Sequence, residues 1–224
     1  MLALLHTSPV HVPVFDALRD AHHPGLELRH LVDEGLLERA RGDGGPAAVA
    51  ADVRALVDRA VAEGARAVLC TCSTIGGVAE VAGAGAGVPV LRVDRPMAAA
   101  AVAAGPRLVV LATVESTLGP TVALVEEEAR RAGRAVEVRS ALVAGAWEHF
   151  AAGDGEAYVR SVAAAVDAVG DADAIVLAQA SMAPAQRMTS TAVPVLCSPR
   201  PGLAAAAGAA APSPGGPQGR HPGA

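Results

Sequence analysis

Residues 67–80, AVLCTCSTIGGVAE, contain the pattern that decides the fold of this chain. The apolar run at residues 67–69 leads into a short polar segment, and a helical pattern begins after that segment. Ser73 or Thr74 stands where a hydroxyl group can cap the first turn of this helix. A short, continuously apolar strand followed by a helix is typical of a parallel sheet that is covered on both faces.

The same arrangement recurs elsewhere in the first half of the chain. Apolar runs end at turn or cap residues, and a helical pattern lies between two of them; the runs occupy residues 2–5, 26–32 and 88–93, and the helix residues 47–63. Strands and helices that alternate at this spacing predict βαβ units and a parallel sheet.

The second half of the chain repeats the first. LVVLAT at residues 108–113 matches LALLHT at 2–7, VEVR at 136–139 matches LELR at 26–29, and VPVL occurs at both 88–91 and 193–196. We therefore predict two pseudo-symmetric α/β halves, residues 1–95 and 96–200. Residues 201–224 are rich in Ala, Gly and Pro. This composition predicts a flexible tail with at most a short helix at residues 203–207.

Composition excludes several functions. The apolar fraction of 52% predicts a well-buried core, and the net charge of −5 argues against a nucleic-acid partner. None of the 18 basic residues is a lysine, which excludes a Schiff base with pyridoxal phosphate. The small, odd number of cysteines, three, predicts reduced thiols. We find no signal peptide and no apolar run long enough to span a membrane, so we expect a cytoplasmic protein. No Cys/His spacing predicts a metal site.

Ligands of open parallel sheets bind at the carboxyl ends of the strands, and Cys72 is the sharpest candidate there. Cys72 ends a predicted buried strand and precedes a predicted helix. A helix N-terminus favours a thiolate, and its unpaired N–H groups can hold a carboxylate. Cys72 is therefore the predicted catalytic residue for proton transfer beside a carboxylate.

The segment VLCTCST at residues 68–74 resembles the first cysteine motif of the aspartate/glutamate racemase superfamily. The duplication and LAT at residues 111–113 resemble that superfamily too. The resemblance implies two flavodoxin-like halves with a cleft between them, and cofactor-independent proton transfer by one cysteine from each half. Members include amino-acid and hydantoin racemases, maleate isomerases and arylmalonate decarboxylases.

The sequence departs from the two-cysteine pattern, because Gln179 stands where the second cysteine would be. Cys197 lies at the end of the next predicted strand. Three interpretations stay open: a one-base isomerase, or a decarboxylase that protonates from Cys72; a racemase with a different second base; and a catalytically silent protein that binds small carboxylates. The candidates for the second acid or base are His6, Asp94, Asp33 and Glu34, of which His6 and Asp94 are preferred.

The remaining candidates form a ring of polar residues after the strands, and the resemblance implies that they bind the carboxylates of a small substrate. They are Thr7, Ser8, Ser73, Thr74, Thr113, Ser116, Thr117, Gln179 and Ser181. Hydroxyl groups also cap helices, and the two roles are compatible. No cofactor, metal, nucleic acid or membrane is expected as a partner, and a homodimer is one assembly that the sequence allows.

Overall fold

A computed structural model describes residues 1–211, which form two four-stranded parallel sheets flanked by helices. The strands of the first sheet are β1 (Leu2–His6), β2 (Leu28–Val32), β3 (Ala67–Cys70) and β4 (Val90–Arg92). Those of the second are β5 (Arg107–Ala112), β6 (Glu137–Leu142), β7 (Ala174–Leu177) and β8 (Val195–Cys197). This architecture confirms the predicted fold class.

Nine α-helices connect the strands within the described residues. They are α1 (Val12–His22), α2 (Gly35–Arg41), α3 (Ala50–Ala62), α4 (Ser73–Gly83), α5 (Arg95–Ala104), α6 (Leu118–Arg131), α7 (Ala146–Ala151), α8 (Gly155–Asp167) and α9 (Pro199–Ala210). Short 3₁₀ turns lie at Pro9–His11, Pro46–Val49, Glu115–Thr117 and Ala180–Arg187. None of the helices in residues 1–211 combines the length and the apolar character that crossing a bilayer requires.

The two sheets have the same strand order. The first runs β2-β1-β3-β4 and the second β6-β5-β7-β8, with every pair parallel. All residues of β1, β3 and β7 are buried, as the continuously apolar runs predicted for strands covered on both faces. Because parallel strands share their carboxyl edge, the loops after β1 and β3 meet at one place, and those after β5 and β7 meet at another.

Two helices each follow the last strand of one sheet and pack on the other sheet. Helix α5 follows the first sheet but contributes Met97 and Ala101 to the core beneath the second. Helix α9 follows the second sheet and places Leu203, Ala206 and Ala210 in one core with Leu2, Leu4, Phe15 and Leu69 of the first half. Gly202 permits this close packing, because a Cβ atom there would collide with the carbonyl oxygen of Val93.

The predicted start of a flexible tail at residue 201 is wrong, because α9 continues to Ala210. The run of alanines that suggested low complexity is also a good helix former, and its apolar face has a core to cover. Residues 212–224, the rest of the predicted tail, lie outside the described residues.

The two halves contact each other through polar side chains as well. Arg95, at the start of α5, pairs with Glu80 on α4 and with Glu127 and Glu128 on α6. These carboxylates raise the pKa of Arg95 further above its usual value, mainly through the hydrogen bonds that Arg95 donates to Glu80. The network joins α4 of the first half to α6 of the second.

Candidate active site

A cavity of about 100 Å³ lies between the carboxyl edges of the two sheets. It is lined by residues of both halves, which is where the duplicated frame predicted a site. Eight of the sequence-predicted residues line it: Thr7, Ser8, Cys72, Ser73, Thr74, Thr117, Gln179 and Ser181. Four other predicted residues do not line the cavity, because their side chains contact other groups: His6, Asp94, Thr113 and Ser116.

Cys72 occupies the N-cap position of α4. Its backbone is extended, with φ −107° and ψ 118°, and its side chain is half-buried in the cavity wall. The first N–H groups of α4 have no partner within the helix, and such groups can bind an anion next to the sulfur. The hydroxyl group of Ser73 donates to the carbonyl oxygen of Ala178, at 3.1 Å, which ties this turn to the second half.

Gln179 has the position in the second half that Cys72 has in the first. Each follows its central strand by two residues, and the backbone of Gln179 is similarly extended, with φ −120° and ψ 141°. Its Oε1 accepts from the backbone N–H of Thr113 at 2.6 Å, from Thr113 Oγ1 at 3.0 Å and from the N–H of Val114 at 3.1 Å. Nε2 has no hydrogen bond to the residues described, so Gln179 offers an amide donor and no acid or base.

Thr113 and Ser116 lie outside the cavity lining and contact other side chains, and their binding of a substrate stays a prediction. Both donors of Thr113 are used by Gln179, so Thr113 orients that side chain. Ser116 Oγ accepts from Arg41 Nε at 3.1 Å, across the cleft. Arg41 itself lines the cavity, and a permanent cation there suits a carboxylate.

His6 and Asp94, the preferred second acid or base, are fully buried outside the cavity lining. The ring of His6 uses both nitrogens: Nδ1 lies 2.8 Å from Thr71 Oγ1, and Nε2 lies 2.8 Å from His30 Nδ1. Burial, and then the nearby rings of His30 and His11, lower the pKa of His6 to about 3.

Asp94 is held by Arg92 through two hydrogen bonds, at 2.6 Å and 2.9 Å, so its carboxylate forms a structural ion pair. Asp33 accepts from the N–H of Leu36 at 3.2 Å at the start of α2, which is a capping role. Neither Asp33 nor Glu34 is among the residues that line the cavity.

His11 is a cavity residue that the sequence analysis missed. It ends the 3₁₀ turn Pro9–His11 and precedes α1. Burial lowers its pKa below the usual value, so the ring is a neutral base at physiological pH. Its position shortly after β1 was a usable signal, but the rule that ligands bind at strand ends points only to the first residues after each strand.

Aromatic side chains concentrate on the second-half wall. Trp147 and Phe150 of α7 line the cavity and stack with ring centroids 4.8 Å apart. Phe150 also contacts Tyr158, at 5.1 Å, and the Tyr158 hydroxyl group lies 2.7 Å from Ser181 Oγ. Of the four Trp, Tyr and Phe residues in the chain, three are therefore at this site.

The other cysteines lie outside the cavity lining. Cys70 is fully buried in β3, donates to the carbonyl oxygen of Cys72 at 3.6 Å and has its pKa raised by burial. Cys197 lies at the end of β8, where its sulfur donates to Gln186 Oε1 at 3.2 Å and burial again raises its pKa. All three cysteines are free thiols. Residues 1–211 contain no cluster of three His, Cys, Asp or Glu side chains that could hold a metal ion.

Comparisons with known proteins agree with the fold. The sequence profile of the Asp/Glu/hydantoin racemase family matches residues 11–206. The aspartate racemase of Picrophilus torridus shares 14% identity and a TM-score of 0.69, over 93% of each chain. The allantoin racemase of Klebsiella pneumoniae shares 16%, with a TM-score of 0.64, over 92% of this chain and 85% of its own. A glycine-to-cysteine variant of arylmalonate decarboxylase shares 21%, with a TM-score of 0.64, over 96% of each chain. No curated protein sequence matches this chain.

Proposed function

This chain belongs to the Asp/Glu/hydantoin racemase family, and from that membership we propose a cofactor-independent enzyme that acts at the carbon next to a carboxylate of a small acid. The observation that carries the proposal is the position of Cys72 in the interlobe cavity, at the N-terminus of α4. A thiol and an anion-binding helix end at one point suit proton transfer beside a bound carboxylate.

Binding of the substrate is assigned to groups that line the cavity. The first N–H groups of α4 and the hydroxyl group of Thr74 receive one carboxylate, and Arg41 adds a positive charge to the same cavity. Gln179 donates from the opposite wall through Nε2. These donors also stabilise the negative charge that moves onto the carboxylate when the neighbouring carbon becomes a carbanion.

The reaction at carbon uses the Cys72 sulfur. As a thiolate it removes the proton next to the carboxylate, and the thiol that forms returns a proton to the carbanion. A second candidate is decarboxylation, in which carbon dioxide leaves with the carbon–carbon bond electrons staying on carbon, and the thiol protonates that carbon. The stacked rings of Trp147 and Phe150 favour decarboxylation of a malonate that carries a flat aryl group. One protein of similar fold is named for that class of substrate, an arylmalonate decarboxylase.

Solvent deuterium exchange tests the proposal. The protein is incubated in D₂O with a panel of amino, hydroxy, dicarboxylic and aryl-substituted malonic acids, and the α-proton and any carbon dioxide release are followed by NMR. We expect exchange or decarboxylation of one class by the wild type and by Cys197→Ala, whose thiol lies outside the cavity lining, and none by Cys72→Ala. Turnover that survives Cys72→Ala would contradict the role of this sulfur. Ligand binding without any turnover across the panel would identify the catalytically silent carboxylate binder instead.

A further inference from the structure

A chain of four polar side chains leads through the first half from its surface to the cavity. Asp16 Oδ1, on α1, lies 3.3 Å from His30 Nε2. His30 Nδ1, on β2, lies 2.8 Å from His6 Nε2, and His6 Nδ1, at the end of β1, lies 2.8 Å from Thr71 Oγ1. The side chain of Asp16 is 39% exposed, whereas Thr71 is buried and lines the cavity, directly before Cys72 in the sequence. The chain therefore has one end in solvent and the other in the cavity wall.

We propose that these four residues form a proton relay, in which a proton that enters at Thr71 from the cavity appears as positive charge on His30, beside Asp16. His6 and His30 lie outside the cavity lining and act on it only through the Thr71 hydroxyl group. The relay does not depend on which reaction takes place at Cys72, so its failure and the failure of the proposed function are separate outcomes.

The sheet brings the two rings to one face. In the parallel pair β1 and β2, His30 is opposite Leu4, two residues before His6, so both rings point to the same side of the sheet. Helix α1 covers that side with Asp16 and Phe15, and the ring centroids of Phe15 and His6 are 5.7 Å apart. The planes of His6 and His30 differ by 19°, and their centroids are 5.1 Å apart. This distance exceeds the 2.8 Å between the two nitrogens by about two ring radii, so the rings meet edge to edge, as a straight hydrogen bond requires.

With both rings neutral, each has a single N–H group, and the Asp16 carboxylate determines where that group is. An unprotonated His30 Nε2 would face the negative oxygen of Asp16, so the proton of His30 is on Nε2 and donates to the carboxylate. His30 Nδ1 is then an acceptor, which requires the proton of His6 on Nε2. His6 Nδ1 in turn accepts from the Thr71 hydroxyl group. In this state all three hydrogen bonds point from the cavity toward the surface.

A proton can then pass along the relay without any ring turning. The Thr71 hydroxyl proton moves to His6 Nδ1, and the proton on His6 Nε2 moves to His30 Nδ1, each within one existing hydrogen bond. The Thr71 oxygen takes up one proton from solvent in the cavity and donates it to the Leu5 carbonyl oxygen, at 3.1 Å. His30 then carries a proton on each nitrogen, His6 has changed its tautomer, and the relay has gained one proton.

The positive charge stays on His30. Its side chain is 16% exposed, and its Nε2 faces the carboxylate of Asp16, which Arg19 Nη2 also contacts, at 3.3 Å. His6 is fully buried, and burial, followed by the rings of His30 and His11, lowers its pKa to about 3, so His6 passes the proton on without keeping a charge. Apart from Arg19, which keeps its charge at physiological pH, no titratable side chain outside the relay forms a hydrogen bond with it among residues 1–211.

NMR of the histidine rings tests the relay without any substrate. In protein labelled with nitrogen isotope at histidine, proton–nitrogen spectra show which ring nitrogen carries a proton, and His6→Gln and His30→Gln assign the signals. Histidine side chains change charge between about pH 8 and about pH 5. Over this range we expect the proton of His6 to change from Nε2 to Nδ1 in the same transition in which His30 becomes doubly protonated. A His6 ring that keeps one tautomer while His30 titrates, or that becomes doubly protonated itself, would overturn the relay.

Asp16→Asn and Asp20→Asn are a matched pair of variants at the surface end. Both carboxylates pair with Arg19, but only Asp16 contacts His30. We expect Asp16→Asn to move the transitions of His30 and His6 together to lower pH, because the imidazolium loses its carboxylate partner. Asp20→Asn should leave both transitions in place. Equal shifts in the two variants, or a shift of His30 without His6 in Asp16→Asn, would contradict the coupling.

Thr71→Val tests the cavity end, because valine keeps the shape of the side chain and removes the hydroxyl group. We expect the two tautomers of His6 to interconvert about tenfold more slowly in NMR exchange measurements, since the hydrogen bond through which the proton enters is lost. Thr117→Val removes a hydroxyl group from the second-half wall of the same cavity and should leave this rate unchanged. Equal rates in Thr71→Val and Thr117→Val would overturn the entry of the proton at Thr71.

Discussion

Acidification should destabilise this protein through His6. The buried ring has a pKa of about 3 in the folded protein, against 6.5 when it is exposed. Below about pH 6.5 the unfolded chain therefore binds a proton that the folded protein refuses, and stability falls as the pH falls through this window. Between about pH 7.5 and about pH 5, one such group costs about 2 kcal/mol, at about 1.4 kcal/mol for each pH unit below 6.5.

Urea denaturation at several pH values measures this loss, with circular dichroism as the signal. For a chain of this size, about 2 kcal/mol corresponds to a fall in Tm of roughly 4–8 °C. His11 acts in the same direction, because burial lowers its pKa as well. The contribution of His6 is therefore isolated by His6→Gln, which removes the titrating group.

His6→Gln should be less stable than the wild type near neutral pH, because the hydrogen bonds to Thr71 and His30 are weakened. Its stability should nevertheless fall by about 2 kcal/mol less than that of the wild type on acidification. His22→Gln, an exposed control, should keep the wild-type pH dependence. A pH dependence in His6→Gln equal to that of the wild type would refute the reasoning.

Three further outcomes follow from the packing and the site. Leu203→Ala, at the centre of the α9 contact with the first sheet, should lower the free energy of unfolding by about 2–5 kcal/mol in urea denaturation, whereas Val81→Ala at an exposed position should change it by less than about 0.5 kcal/mol. Arg41→Gln should raise KM about tenfold or more with little effect on Tm, and an equal effect of the surface control Arg59→Gln would contradict a direct carboxylate contact. Gln179→Leu should cost about 1–3 kcal/mol in the same denaturation experiment, because it leaves buried donors unpaired; an unchanged stability would show that water replaces its Oε1.

The fold was predictable because its signals are local and repeated. Each central strand is a continuous apolar run, and the VPVL segments at 88–91 and 193–196 mark equivalent positions in the two halves. The rule that ligands bind after strand ends also pointed to Cys72 and Gln179, each of which stands two residues after its central strand, β3 or β7.

The missed residues lie farther from the strand ends. Arg41 is the last residue of α2, and Trp147 is in α7, where nothing in the local pattern distinguishes them from surface residues. Tertiary packing alone brings them to the cavity. Asp94 and Thr113 also follow strands, but they lie outside the cavity lining and form hydrogen bonds with Arg92 and Gln179. A strand end fixes the position of a residue but does not reveal which partner its side chain will find.

Two expectations concern the cell and the assembly. The cytoplasmic location and the homodimer stay predictions, and neither follows from the fold. Size-exclusion chromatography with light scattering measures the second directly.

The packing of α9 on the first sheet has a consequence for how the protein folds during synthesis. The face of the first sheet that carries Leu2 and Leu4, with Phe15 of α1 packed on it, is completed by Leu203 and Ala206. Both residues follow the second sheet in the sequence, so that face of the first sheet stays open until the second half has been synthesised. The N-terminal half therefore reaches its native state only after the ribosome has finished the other half, and molecular chaperones would meet the uncovered sheet in the interval.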